Sequence, residues 1–307
     1  MIRLEQGRIE EGLSLIQSAK KSSAGSDLLG AVAEIVELRL YARRGEYPDV
    51  EDCEYLGRCG GNIGKALAIR ASIAQALAPD FENLGLAIEN IRGLTLRSEA
   101  APDINGLGNA YNALGVLFRR AGEFELAQKC LRYAATLLIA SFDLPTLQAA
   151  LFNLGHTLCK QAADDGHLRE ALSLIELDRE ICATFGLGRD SAQGEVVAGI
   201  ICLQLGDLAA AERWLAAGRE IIATLNSDYN KAEVERLHAR ILWVRSWTEN
   251  RGIPKDIDAI LAKLREALDL TSRAGFPGND IEHEMALVRR GERPKWVSGP
   301  PEAERRG

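Results

Sequence analysis

Aromatic residues are scarce in this chain, at 6% of 307 positions, while Ala and Leu abound. Sandwich and barrel folds draw on aromatic and β-branched residues, whereas small residues beside Leu suit closely packed helices. There is no run of about 18 apolar residues, so no segment reads as a membrane-spanning helix. The six cysteines (Cys53, Cys59, Cys130, Cys159, Cys182 and Cys202) form no CxxC pair. Several fall on apolar helix faces, where a reduced thiol behaves as a small hydrophobe, as expected in a reducing compartment. The opening MIRLEQGRIEEG lacks the charged-then-apolar order of a secretory leader. The expectation is a cytoplasmic protein with no membrane contact.

Basic stripes are lacking too. The net charge is −7, and the only concentrated basic segment is Arg289, Arg290, Arg293, Lys295, Arg305 and Arg306 near the end. Direct nucleic-acid binding is therefore not expected. Signatures of catalysis and metal binding are equally thin. His156, His167, His238 and His283 make no HExxH or paired Cys/His spacing, and no GxSxG occurs. GRCGGNIGKA at 57–66 superficially resembles a phosphate loop. Cys59 occupies the first Gly position, however, Ala66 replaces the magnesium-binding hydroxyl, and no strand precedes the segment, so it reads as an inter-helix turn. Asp164-Asp165 reads as a solvated loop pair. An enzyme hidden in the less regular N-terminal third remains an alternative, but no convergent acid, base and nucleophile set is visible. No catalytic residue, metal or cofactor is expected.

What the chain does have is periodicity. Tyr111, Leu114, Gly115 and Phe118 are followed by Gly122, Ala127, Leu131 and Ala134. Leu151, Leu154, Gly155 and Leu158 repeat the pattern, with Ala171 and Ile175 after them, and so do Ala198, Gly199, Cys202, Gly206, Ala211, Leu215 and Gly218. Ala87 to Gly115, Ala127 to Gly155, Ala171 to Gly199 and Ala211 to Ala239 are each 28 residues apart. A Gly inside a helix costs about 1 kcal/mol relative to Ala, so each needs a packing reason. Close approach of Gly115 to Ala127 across a helix hairpin supplies one. Gly115 to Ala127 and Gly199 to Ala211 are 12 apart but Gly155 to Ala171 is 16, which places four extra residues in a loop around 162–166.

These positions resemble the tetratricopeptide repeat, in a long form of about 40 residues. The resemblance implies an all-α, right-handed α-solenoid of stacked antiparallel helix hairpins over 1–274. The clearest repeats are 68–100, 108–141, 148–185, 192–224 and 231–274. An earlier helix at 27–44 pairs less clearly with residues near 49–57. Gly12, Ile16 and Ala19 read as a second helix whose first helix is nearly absent. That end is therefore expected to be covered by upstream residues or by a partner. The Pro- and Gly-rich stretch 289–307 is expected to be disordered.

The resemblance further implies that first helices line an inner groove. Its register puts Asn109, Asn112, Arg119 and Arg120 there from one repeat, Asn153, His156 and Lys160 from the next, and Arg236 and Arg240 from the last. Val196, Ile200 and Leu203 would form an apolar patch between them. Asn amides can bind an extended backbone, and Arg and Lys favour an acidic partner. The alternative is that these are ordinary solvated helix faces. Of the two-Lys, two-Asn, one-Arg clamp found in chaperone-tail binders only Asn153 is matched. Trp243 and Trp247, four apart on one helix face, either cap the apolar end of the array or anchor a partner. Trp296, in the tail, could be a short docking motif.

The expected function is a protein- or peptide-binding scaffold, with self-association through apolar ends. The second reading is a peptide-sensing regulatory module of a bacterial transcriptional or defence system, acting on a partner effector.

Overall fold

The computed structural model describes residues 9–22, 29–34, 36–37, 85, 88–89, 91–93, 104–161, 164–185, 192–225, 227–250 and 255–294. Most of the expected repeat at 68–100, the 49–57 segment, the loop at 57–66 and the tail from Lys295 with Trp296 lie outside these residues. All regular structure among the described residues is helical. The chain divides into two compact units, residues 1–161 with 180–187, and residues 162–179 with 188–307.

The first unit contains α1 (Ile9–Ser22), α2 (Ile104–Arg120), α3 (Phe124–Ala140) and α4 (Leu144–Gln161). The second contains most of α5 (Asp165–Phe185), then α6 (Gln193–Gln204), α7 (Leu208–Thr224), α8 (Asp228–Glu249), α9 (Ile257–Arg273) and α10 (Asn279–Arg289). In the first unit α2 packs on α3, α3 on α4, and α2 also on α4. The second unit follows the same scheme: α6 on α7, α7 on α8, α6 on α8, α8 on α9, and α9 on α10. Within each unit these helices pack on their successors, and α2 also touches α4 as α6 touches α8.

Tight turns set this connectivity. Gly122, Gly206, Gly275 and Gly291 have φ of 80°, 79°, 78° and 65°. Each receives the chain from a helix that ends in the same hydrogen-bonded pattern. Thus Gly206 N–H donates to the Leu203 carbonyl at 3.1 Å and Asp207 N–H to the Cys202 carbonyl at 2.9 Å. The Asp207 side chain then caps α7, accepting from Ala210 N–H at 2.8 Å. Phe142 occupies the same left-handed position between α3 and α4 with φ 55°, and Asp143 follows it as the cap of α4. One short turn therefore ends one helix and starts the next.

The regularly spaced small residues are buried in helices. Gly115, Gly155 and Gly199 are buried within α2, α4 and α6. Ala127, Ala171, Ala211 and Ala239 are at most 1% exposed. Leucines occupy the space that two of these glycines leave open. A Cβ added to Gly115 would lie 2.4 Å from Leu131 Cγ of α3, so the glycine is a hole for a Leu. At Gly199 the added Cβ would lie 2.7 Å from Leu237 Cδ2 of α8, which makes room for the next first helix instead of α7. Helices mesh by seating large side chains opposite gaps.

Three further expectations change. Asp165 and Gly166 are the start of α5 rather than loop, and Asp164 caps that helix through His167 N–H at 2.9 Å. In α1, Gly12, Leu13 and Ile16 are buried but Ala19 is exposed. Regular structure also continues past residue 274, because α10 buries Ile281, Met285, Leu287 and Val288 in the core that contains Trp243, Ile260 and Leu264. Arg289 closes that helix and Pro294 is buried.

Candidate functional site

Adjacent helices α2 and α4 carry seven of the nine expected groove residues, and four of these meet across the two helices. Asn112 and Asn153 meet directly, with Asn153 Nδ2 donating to Asn112 Oδ1 at 3.1 Å. One turn or so further along, Arg119 Nη1 lies 3.0 Å from His156 Nδ1. A guanidinium can only donate, so Nδ1 accepts and the imidazole proton sits on Nε2. Lys160, exposed, extends the line one helical turn beyond His156. Asn109 is half-buried on α2 and turns its amide inward, donating to the Asn105 carbonyl at 2.9 Å and to its side-chain oxygen at 2.7 Å. Arg120 follows Arg119 as an exposed residue at the end of α2.

The stripe is electrostatically one-sided around His156. Burial, then the charges of Arg119 and Lys160, hold the His156 imidazole at a pKa of about 3. It is therefore neutral at pH 7, with one nitrogen orienting Arg119 and the other a donor. Phe152 lies beside it, the two rings 5.8 Å apart and tilted. Asn112 and Asn153 each keep hydrogen-bonding capacity beyond the single bond between them. Nothing in this set is a nucleophile or a poised base. What it offers a ligand is donors, amide oxygens and positive charge.

The residues expected from the last repeat are arranged differently. Arg236 and Arg240 converge on Glu284 of α10, each with an Nη2 2.6 Å from Glu284 Oε1. All three side chains are largely buried, at 14%, 10% and 7% exposure. Burial alone raises the Glu284 carboxyl, but the two guanidinium groups outweigh it and hold it below the usual carboxylate range. Arg236 likewise rises against its burial because of Glu284. Their charge is thus engaged within the chain. Sequence reasoning did not single out Glu284. The pointer it passed over is the i, i+3, i+4 spacing of Ile281, Glu284 and Met285, one carboxylate on an otherwise apolar face.

The expected apolar patch is also interior. Val196 and Leu203 are 3% and 1% exposed, and Ile200 packs on the same core. Helix α6 is buried on nearly every side, so its apolar residues are packing rather than surface. Trp243 is 1% exposed and belongs to that core, which answers the question left by its spacing, while Trp247 is half-buried. No group of three or more His, Cys, Asp or Glu placed to hold a metal occurs among the described residues. No helix among them is long and apolar enough to cross a membrane.

Comparison with known proteins adds no further constraint. No protein-family model matches the chain, and no curated protein is significantly similar to it. The class defined by the fold is therefore the coarse one: an all-helical protein whose consecutive helices pack on one another.

Proposed function

We propose that this chain is a tetratricopeptide-like, right-handed α-solenoid, a cytoplasmic scaffold that binds a peptide segment of a partner protein along the α2–α4 stripe. The observation that carries the reading is the line formed by Asn112, Asn153, Arg119, His156 and Lys160. Two helices lie side by side and are bonded across by two side-chain contacts, between residues 41 and 37 apart in sequence. Amides with spare donors and acceptors suit a peptide backbone, and the cations favour an acidic segment. Asn109 and Arg120 flank the line and extend it along α2. The α8 pair Arg236 and Arg240 is left out, because it is largely buried and both guanidinium groups are already bonded to Glu284, with Glu233 and Asp280 also beside Arg236. The proposal needs no catalytic residue, metal or cofactor.

The test is affinity capture with the full chain, followed by mass spectrometry. One stoichiometric protein should be recovered, and it should be lost on Asn112→Ala with Arg119→Glu while far-UV circular dichroism stays unchanged. Retention of that partner by the double variant would place the binding surface elsewhere. Thermal stabilisation by a small signalling peptide, without a stoichiometric protein, would identify a sensor in place of a scaffold.

A further inference from the structure

A concave site lies in the second unit. It is bounded by α5, the end of α6, the α6–α7 turn and α7, and encloses about 390 Å³. That volume falls within the range of small-molecule pockets, about 300–1,000 Å³. Leu172, Cys202, Leu205 and Ala210 provide its apolar lining, and Trp214 adds an aromatic face. Four charged side chains share the rim, Glu176 and Asp207 of one sign, Arg179 and Arg213 of the other. All four are exposed.

Two features separate this from an ordinary solvated surface. Opposite charges around one cavity would be expected to pair across it, yet none of the four takes part in an ion pair among the described residues. Arg179 instead lies over the Trp214 ring, 5.2 Å from its centroid. Trp214 itself packs against the core, which fixes the platform. The floor thiol is not a reactive group. Burial, with the charge of Asp207 adding to it, pushes Cys202 up to about 11, so it stays protonated and acts as apolar lining. The cavity therefore combines an apolar floor, a flat aromatic wall and separated charges of both signs.

We infer that this cavity binds a small zwitterion, a free α-amino acid with an apolar or aromatic side chain. The ammonium group faces Glu176 and Asp207, the carboxylate faces Arg213 and Arg179, and the side chain rests on Leu172, Ala210 and Trp214. The matching is chemical: a zwitterion is the smallest ligand that brings one charge for each pair and an apolar part for the floor. Charge-assisted hydrogen bonds at both ends supply orientation. The site is independent of the α2–α4 stripe.

Isothermal titration calorimetry and tryptophan fluorescence on the full chain test this, with L-leucine and L-phenylalanine as probes. N-acetyl-L-leucine and L-leucinamide, each lacking one charge, are the comparison compounds. The free amino acids should bind saturably, and each capped compound should bind at least roughly tenfold more weakly, as loss of one charge-assisted contact implies. Glu176→Gln and Arg213→Gln should each weaken binding by a similar factor without changing the melting temperature of the unliganded chain. Trp214→Phe should remove the fluorescence response while calorimetric heat persists. Asn112→Ala with Arg119→Glu should leave amino-acid binding untouched, whatever happens to the partner protein. Equal binding of the capped compounds, or no saturation by either amino acid in the millimolar range, would overturn the assignment.

Discussion

Acidification is a direct probe of the α2–α4 stripe, because His156 is held neutral by its surroundings. Its ordinary value is 6.5 and the folded protein brings it to about 3, through burial and the charges of Arg119 and Lys160. Between those values the unfolded chain binds a proton that the folded one refuses. Stability from this group is therefore complete above 6.5 and falls as pH drops toward 3. From pH 7 to 4.5 the loss amounts to two units of proton affinity, up to about 3 kcal/mol at 1.36 kcal/mol per unit. Carboxylates also titrate in this window, so the informative quantity is a difference between two proteins. His156→Gln keeps an oxygen to accept from Arg119 and carries no proton to gain. Urea unfolding followed by far-UV circular dichroism, at pH 7 and 4.5, should show the natural chain losing more stability than the variant. A His156 imidazole NMR titration with no inflection near 6.5 should accompany it. Equal losses in both proteins, or a His156 imidazole that titrates near 6.5, would refute the electrostatic account of the stripe.

Other perturbations follow from packing and turn geometry. Gly115→Ala gains about 1 kcal/mol of helix propensity but drives a methyl into buried Leu131, so a net loss of about 1–2 kcal/mol is expected in thermal or urea unfolding. Phe142→Gly should stabilise by about 1 kcal/mol. It relieves a left-handed φ of 55°, and the side chain it removes is 86% exposed and contributes little burial. Glu284→Ala leaves two buried guanidinium groups without their carboxylate and should cost about 3–5 kcal/mol, with α10 losing hydrogen-exchange protection first. Replacing Arg236, Arg240 and Glu284 together by Met should recover most of that loss, because no buried charge is then stranded.

The helical class and the helix positions of the regularly spaced glycines were legible because they depend on local, periodic chemistry. Small residues at 28-residue intervals, left-handed Gly positions after Phe118 and Cys202, and apolar stripes each act within a turn or two of their own helix. Gly115, Gly155 and Gly199 could therefore be placed inside helices from spacing alone, whereas Asn112, Arg119, Asn153 and His156 were grouped through the family resemblance. Composition likewise excluded a membrane-spanning helix.

Which residue fills each gap was decided by tertiary structure. Leu131 seats in Gly115 and Leu237 in Gly199, and nothing local distinguishes those partners, since close packing selects a large side chain from whichever helix comes near. Arg236 and Arg240 carry the charge of groove residues, yet Glu284, more than 40 residues away, takes that charge up. The side pocket at Trp214 was equally invisible, because its walls come from three helices whose meeting leaves no trace in spacing. Sequence determined the periodic elements and the faces they offer. The fold decided which charges are neutralised and which remain for a ligand, because burial and pairing are properties of neighbours in space.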